Sequence, residues 1–137
     1  MNVADDVVII GYYNISTGTL DQRVEYGNGE NTHIKIGGAI HINGFALDDH
    51  FRGVEIPNVR DGLKYTIADM LLEDCIERIL EIRESNVGFE FITLCSTKEG
   101  YSLYKRNEFE DLDEDLSFSV TETEKECKFM YLPIDYE

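Results

Sequence analysis

TIADMLLEDCIERILEIRE, residues 66–84, leads through SNVG, residues 85–88, into FEFITLC, residues 89–95. In the first stretch Ile67, Met70, Leu71, Cys75, Ile79 and Ile82 recur at three- and four-residue steps. That spacing predicts one apolar helix face. Leu72, Ile76 and Leu80 widen the stripe, so much of the helix is expected to be buried. Thr66, with Asp69 three residues on, suits a reciprocal cap at its start, and residues 86–88 suit its end. The following FEFITLC is apolar on both faces, as an interior strand must be. A long helix feeding an interior strand is half of a layered sheet-and-helix domain.

The flanks supply the rest of the sheet. VVIIGYYNIS, residues 7–16, is rich in β-branched and aromatic residues and reads as a strand. Residues 17–29 are polar and contain glycine, and read as a loop or hairpin excursion. IKIGGAIHINGFAL, residues 34–47, reads as a second strand. Its Gly37, Gly38 and Gly44 point to a bulge or to a close approach by another chain or a ligand. Residues 48–64 hold no periodicity and read as a long loop. Ser96 and Thr97 turn the chain into a short helix over residues 98–106. Strands are expected at 109–112, 116–120 and 128–134. The order predicts a single domain over residues 1–137, of mixed α/β (α+β) class. Its sheet is mostly antiparallel, with a long central helix and a shorter C-terminal helix.

Composition narrows the function classes. The chain has 137 residues, 42% of them hydrophobic and 29% charged, an ordinary globular balance. Acidic residues number 28 against 12 basic ones, a formal net charge of −16. Such a surface repels nucleic acid and anionic membranes and attracts amines or cationic partners. No apolar run reaches the length of a membrane helix. The first residues lack a secretory pattern, so a cytoplasmic protein is expected. Three dispersed cysteines, Cys75, Cys95 and Cys127, argue against a disulfide framework and read as small buried thiols. No two of His33, His41 and His50 have metal-ligand spacing, so no metal is expected.

Several short stretches, in this order, resemble the GNAT (Gcn5-related N-acetyltransferase) superfamily. GYYNIS, residues 11–16, is similar to a GYY-x-LS strand found in bacterial members. FALD, residues 45–48, resembles the end of the family's central strand, and HFRG, residues 50–53, the turn that follows it. LYKRNEF, residues 103–109, resembles the C-terminal FYEKNGF signature. MYLP, residues 130–133, resembles a closing strand. The resemblance spans nearly the whole chain.

It implies acetyl-CoA as cosubstrate, and a small-molecule or protein amine as acceptor. The central strand, ending at Phe45, Ala46 and Leu47, would splay from the next strand, ending at Thr93, Leu94 and Cys95, with Ser96 beside it as a further cofactor contact. Exposed backbone groups there would bind the pantetheine arm. The following helix start would take the pyrophosphate on Gly62, Leu63, Lys64, Tyr65 and Thr66, with Arg60 or Lys64 adding charge. Tyr104 falls where the family has a general acid that protonates the leaving thiolate. Glu108 replaces the glycine usual before Phe109, which suggests altered turn geometry. No general base is apparent: His41 reads as a packed or exposed strand residue, and a water often relays the proton in this family. The family's leading strand and helices look absent. That would leave a sheet edge uncovered and favour a homodimer through residues 7–10 or the final strand.

The leading expectation is therefore an N-acetyltransferase. A catalytically impaired CoA-binding or acidic interaction module is the alternative. A likeness to toxin-type members that modify aminoacyl-tRNA is opposed by the charge of −16.

Overall fold

The computed structural model describes residues 8–25, 27, 29–85, 88–113, 116–118 and 127–134. Eight elements matter here: β1 Gly11–Glu25, β2 Asn31–Leu47, α1 Ile67–Ser85, β3 Phe91–Ser96, α2 Tyr101–Arg106, β4 Glu110–Asp111, β5 Leu116–Phe118 and β6 Lys128–Pro133. The strands form a six-stranded sheet in the order β4-β6-β3-β2-β1-β5. Only β2 and β3 pair in parallel; every other neighbouring pair is antiparallel. The crossover that a parallel pair requires is α1. This is the expected mixed class, with one long helix and one short one.

β1 and β2 form a long hairpin, and this corrects the reading of residues 17–29 as a loop. Residues 17–25 continue β1 and pair with 31–40 of β2. Their polar side chains face solvent, while Leu20 is 1% exposed. Polarity on an exposed face is compatible with a strand when a partner supplies the ladder. At the other end the expected strand start moves inward. Residues 8–10 precede β1 without strand structure, and Val7 lies outside the described residues. Residues 119–120 of the expected strand 116–120 also lie outside them.

The hairpin carries two register shifts, between Asn14 and Ile15 and between Leu20 and Asp21. In both, β2 has the additional residue: Asn43 between partners Ile42 and Gly44, and Ile36 between Lys35 and Gly37. The glycines expected to mark a bulge thus lie beside both. A bulge bends its strand and sharpens the local twist.

The core lies between α1 and one sheet face. Leu72, Cys75 and Ile79 of α1 are fully buried against Ile40, Ile42, Ile92, Leu94 and Met130. The helical stripe is narrower than its sequence suggests, because Met70 and Leu80 are exposed. Thr66 and Asp69 do form the reciprocal cap. The Thr66 amide and hydroxyl each donate to Asp69 Oδ2 at 2.8 Å, and the Asp69 amide donates to Thr66 Oγ1 at 3.3 Å.

The cysteine reading is corrected for two of the three. Cys95 and Cys127 form a disulfide, with Cα atoms 5.3 Å apart. They are 32 positions apart in sequence. The antiparallel β3–β6 pairing, Cys95 opposite Phe129 and Ser96 opposite Lys128, brings them together. Cys75 is a free buried thiol. Among the described residues, no helix is long and apolar enough to cross a membrane.

Candidate functional site

β2 and β3 pair from Ala39 with Phe91 to Ile42 with Leu94, and there the ladder stops. Both strands run on, β2 to Leu47 and β3 to Ser96. The bulge residue Asn43 follows immediately after the last pair. It bends β2 away and opens a gap between two neighbouring parallel strands. A cleft of about 950 Å³ occupies that gap. No described strand pairs with the β3-facing edge of β2 beyond Ile42. Backbone amides and carbonyls on such an edge are free to bind an extended, amide-bearing ligand.

The cleft draws its walls from both faces of the sheet. Ile42, Leu94 and Tyr104 belong to the core under α1. His41 and Cys95 alternate with Ile42 and Leu94 along their strands and so belong to the opposite face. Ser16, Asn43, Phe45, Ala46 and Cys127 are also part of the wall. Among the described residues, no Asp, Glu, Lys or Arg lines it. In a protein of charge −16 the described wall of this cleft is uncharged, which suits a neutral ligand segment.

Tyr104 is set by α2 and by the turn behind it. It is 8% exposed, its ring edge-on to Phe45 at 6.1 Å and to Phe109 at 5.8 Å. Burial is the main cause that pushes its phenol up to about 12, with Cys75 adding to it. The hydroxyl therefore stays protonated at neutral pH. His41 is 4% exposed, with Nδ1 2.9 Å from Thr93 Oγ1. Burial lowers its pKa, so the imidazole is neutral at pH 7.

Glu108 does not alter the turn. It adopts φ 74°, the left-handed conformation that a glycine would take there. The Phe109 amide donates to the Tyr104 carbonyl at 3.0 Å, and the Glu108 amide to the Lys105 carbonyl at 3.1 Å. These are the two bonds of a Schellman cap, and the Tyr104–Phe109 ring contact is the hydrophobic contact that accompanies it.

The start of α1 differs from the expectation of open N–H donors. Thr66 N–H and Asp69 N–H are taken by the cap, and Ile67 N–H donates to the Val54 carbonyl at 3.0 Å. Asp69, fully buried, is the anion at this helix end. Arg106 donates to it from Nε at 2.9 Å and from Nη2 at 2.7 Å, and Asn107 Nδ2 donates at 2.8 Å. Burial alone would raise the Asp69 carboxyl. The donors from Arg106, Asn107 and Thr66 outweigh it and hold the group far below the usual carboxylate range. Arg60 donates to Glu73 at 2.7 Å and to Asn107 at 2.9 Å, and lies over the Tyr65 ring at 4.9 Å.

The sequence candidates thus fall into separate places. Phe45, Ala46 and Tyr104 share the cleft. Arg60, Gly62, Leu63, Lys64 and Tyr65 line a different hollow of about 720 Å³, which has no lining residue in common with it. Thr66 caps α1. Leu47 pairs with Gly11 at the end of β2, and Ser96 is buried, donating to the Thr97 carbonyl at 2.8 Å. Sequence reasoning missed the disulfide in the cleft wall and the Arg106–Asn107 clamp on Asp69. The clamp left a partial signal, since the arginine and asparagine sit side by side ahead of Phe109. Among the described residues no cluster of His, Cys, Asp or Glu is placed to hold a metal ion. A comparison with protein-family models finds no match, and neither does a comparison with curated proteins.

Proposed function

We propose that the chain is an N-acyltransferase of GNAT type, transferring acetyl from acetyl-CoA to an amine. The observation that carries this is the interrupted parallel pair. Two adjacent strands part at Ile42 and Leu94, leaving an unpaired β2 edge along an uncharged cleft with Tyr104 in its wall. A pantetheine arm is extended, neutral and rich in amides, and such an edge can bond it as a missing strand would. The thioester sulfur would then approach Tyr104. As the amine attacks and the C–S bond breaks, charge builds on sulfur, and a buried phenol O–H can donate to it. A phenol near 12 is protonated at neutral pH and so has the proton to give. The acidic surface favours a cationic amine as acceptor. The cytoplasmic setting, where acetyl-CoA is available, belongs to the same proposal. So does a homodimer: Val8 and Ile9, 69% and 72% exposed, are apolar side chains that a second copy would cover. β6 lies between β3 and β4, so the N-terminal residues carry that reading better than the final strand.

A second reading is favoured by one specific observation. The N–H groups of Thr66, Ile67 and Asp69 at the start of α1 are bonded internally, and Asp69 already supplies the anion there. A pyrophosphate would have to bind elsewhere, and the protein would then be a weak CoA-binding module without turnover. Two measurements separate these readings. Acetyl-CoA at millimolar concentration should raise the melting temperature, as a ligand selective for the folded state does. No thermal shift and no heat of binding would refute both. Turnover against a panel of amines then decides between them. In an active enzyme, Tyr104→Phe should lower kcat by about 10²-fold while acetyl-CoA affinity holds. Full activity in the Phe variant would remove Tyr104 from the mechanism.

A further inference from the structure

Cys95 and Cys127 line the cleft while forming the only disulfide among the described residues. Their position is particular. Cys95 follows Leu94, the last β3 residue paired with β2, and Cys127 directly precedes β6. The bond therefore joins β3 to the start of β6 at the point where the sheet opens. Both residues are half-buried and both line the cleft, so neither is sealed in the core. Cys75 differs on every count. It is 0% exposed on the buried face of α1, and burial pushes its thiol up to about 12. One cysteine is sealed and unreactive, and two stand in a wall that a small molecule can reach.

We propose that the Cys95–Cys127 disulfide is a thiol-exchange site, reached through the cleft, for a low-molecular-weight thiol. The chemistry balances without an external oxidant. The incoming thiolate attacks one cysteine sulfur, and a new S–S bond forms as the Cys95–Cys127 bond breaks. The other cysteine leaves as a thiolate and takes up a proton. The freed cysteine can attack the mixed disulfide in turn, expelling the small thiol and restoring the original bond. In a reducing compartment a disulfide so placed is exchangeable, in contrast to the static staples of secreted domains. The cleft wall, uncharged among the described residues, admits either a pantetheine-type thiol or a peptide-type thiol. The proposal needs the cleft but not acyl transfer.

The test uses the whole chain purified without reductant. Thiol titration in denaturant should first find one free thiol. Folded protein is then incubated separately with CoA, reduced glutathione and cysteamine, and followed by intact mass and peptide mapping. The expected result is one thiol added per chain, on Cys95 or Cys127, with Cys75 unmodified. Whichever thiol reacts fastest identifies the source, and all three supply the same chemistry. Ser16→Trp, which fills the cleft wall from β1, should slow exchange by about tenfold, since access governs such reactions. Three free thiols in the purified protein would overturn the proposal. So would adducts that form only after unfolding in urea, or an undiminished rate in a folded Ser16→Trp variant. Acetyl-CoA, whose sulfur is blocked, separates this inference from the acyltransferase reading. If it fails to slow exchange, the acyltransferase reading loses its cofactor site and the exchange site stands.

Discussion

Glu108 holds a backbone conformation with φ 74°, which costs an L-residue with a Cβ about 1–2 kcal/mol. The fold imposes it, because the chain must reverse from α2 into β4 while Phe109 reaches the core, where it is 1% exposed. Glycine at this position would relieve the strain and lose part of the gain to unfolded-chain entropy. Glu108→Gly should therefore stabilise the protein by roughly 1 kcal/mol and raise Tm by about 4 °C in a thermal melt. A lower Tm would mean that the Glu108 side chain contributes more than its backbone costs. Tyr104 lies at the far end of the same cap, its carbonyl accepting the Phe109 amide at 3.0 Å. One turn thus fixes both the end of α2 and the ring in the cleft wall.

α1 and α2 are joined through Asp69. The carboxylate caps α1 and accepts from Arg106 and Asn107, both at the end of α2. This clamp sets where α2, and with it Tyr104, sits against the core. Removing one side of a buried, hydrogen-bonded ion pair costs about 3–5 kcal/mol. Asp69→Asn keeps the shape but loses the charge, and should lower stability markedly at neutral pH. The pH dependence has a definite sign. The folded-state carboxyl is held below its unfolded value of about 3.9, so its contribution is complete above that value and is lost as pH falls through the folded pKa. The stability gap between wild type and Asp69→Asn, read from urea melts, should be constant from pH 7 to about 5 and narrow below about 4. A gap that stays constant into strong acid would show that the carboxylate charge is not what stabilises the clamp.

At the scale of the molecule, the net charge of −16 and the apolar N-terminal residues act against each other. Like charges oppose association, while Val8 and Ile9 at 69% and 72% exposure favour it. Salt screens the first effect and leaves the second, with a Debye length of about 8 Å at physiological ionic strength. The proposed homodimer should thus be weakest in low salt and strengthen as salt rises. Light scattering at micromolar concentration checks this. A mass of 15.7 kDa at every salt concentration would reject the dimer. Val8→Asp with Ile9→Asp should abolish any dimer that does form.

Periodicity determined α1 to within a residue at each end, and its Thr66–Asp69 cap, because helical spacing and capping are local properties. The order of strands and helices along the chain and the mixed class followed from alternating and doubly apolar runs, while the order of strands in the sheet did not. The glycines of β2 marked where it would bend. Residues 17–25 were illegible as strand, since what extends them is pairing with β2 across the hairpin and, at 20–22, with the sequence-remote β5. The Cys95–Cys127 bond was equally hidden: 32 positions of sequence separate the two residues, and only the β3–β6 register closes that distance. Sequence identified Phe45, Ala46 and Tyr104 as candidates through resemblance. That they share one cleft, while Arg60 and residues 62–65 line another, depended on tertiary packing. The helix start that local rules offered to a phosphate was filled by the chain's own Asp69, because Arg106 and Asn107, remote in sequence, arrive there to hold it.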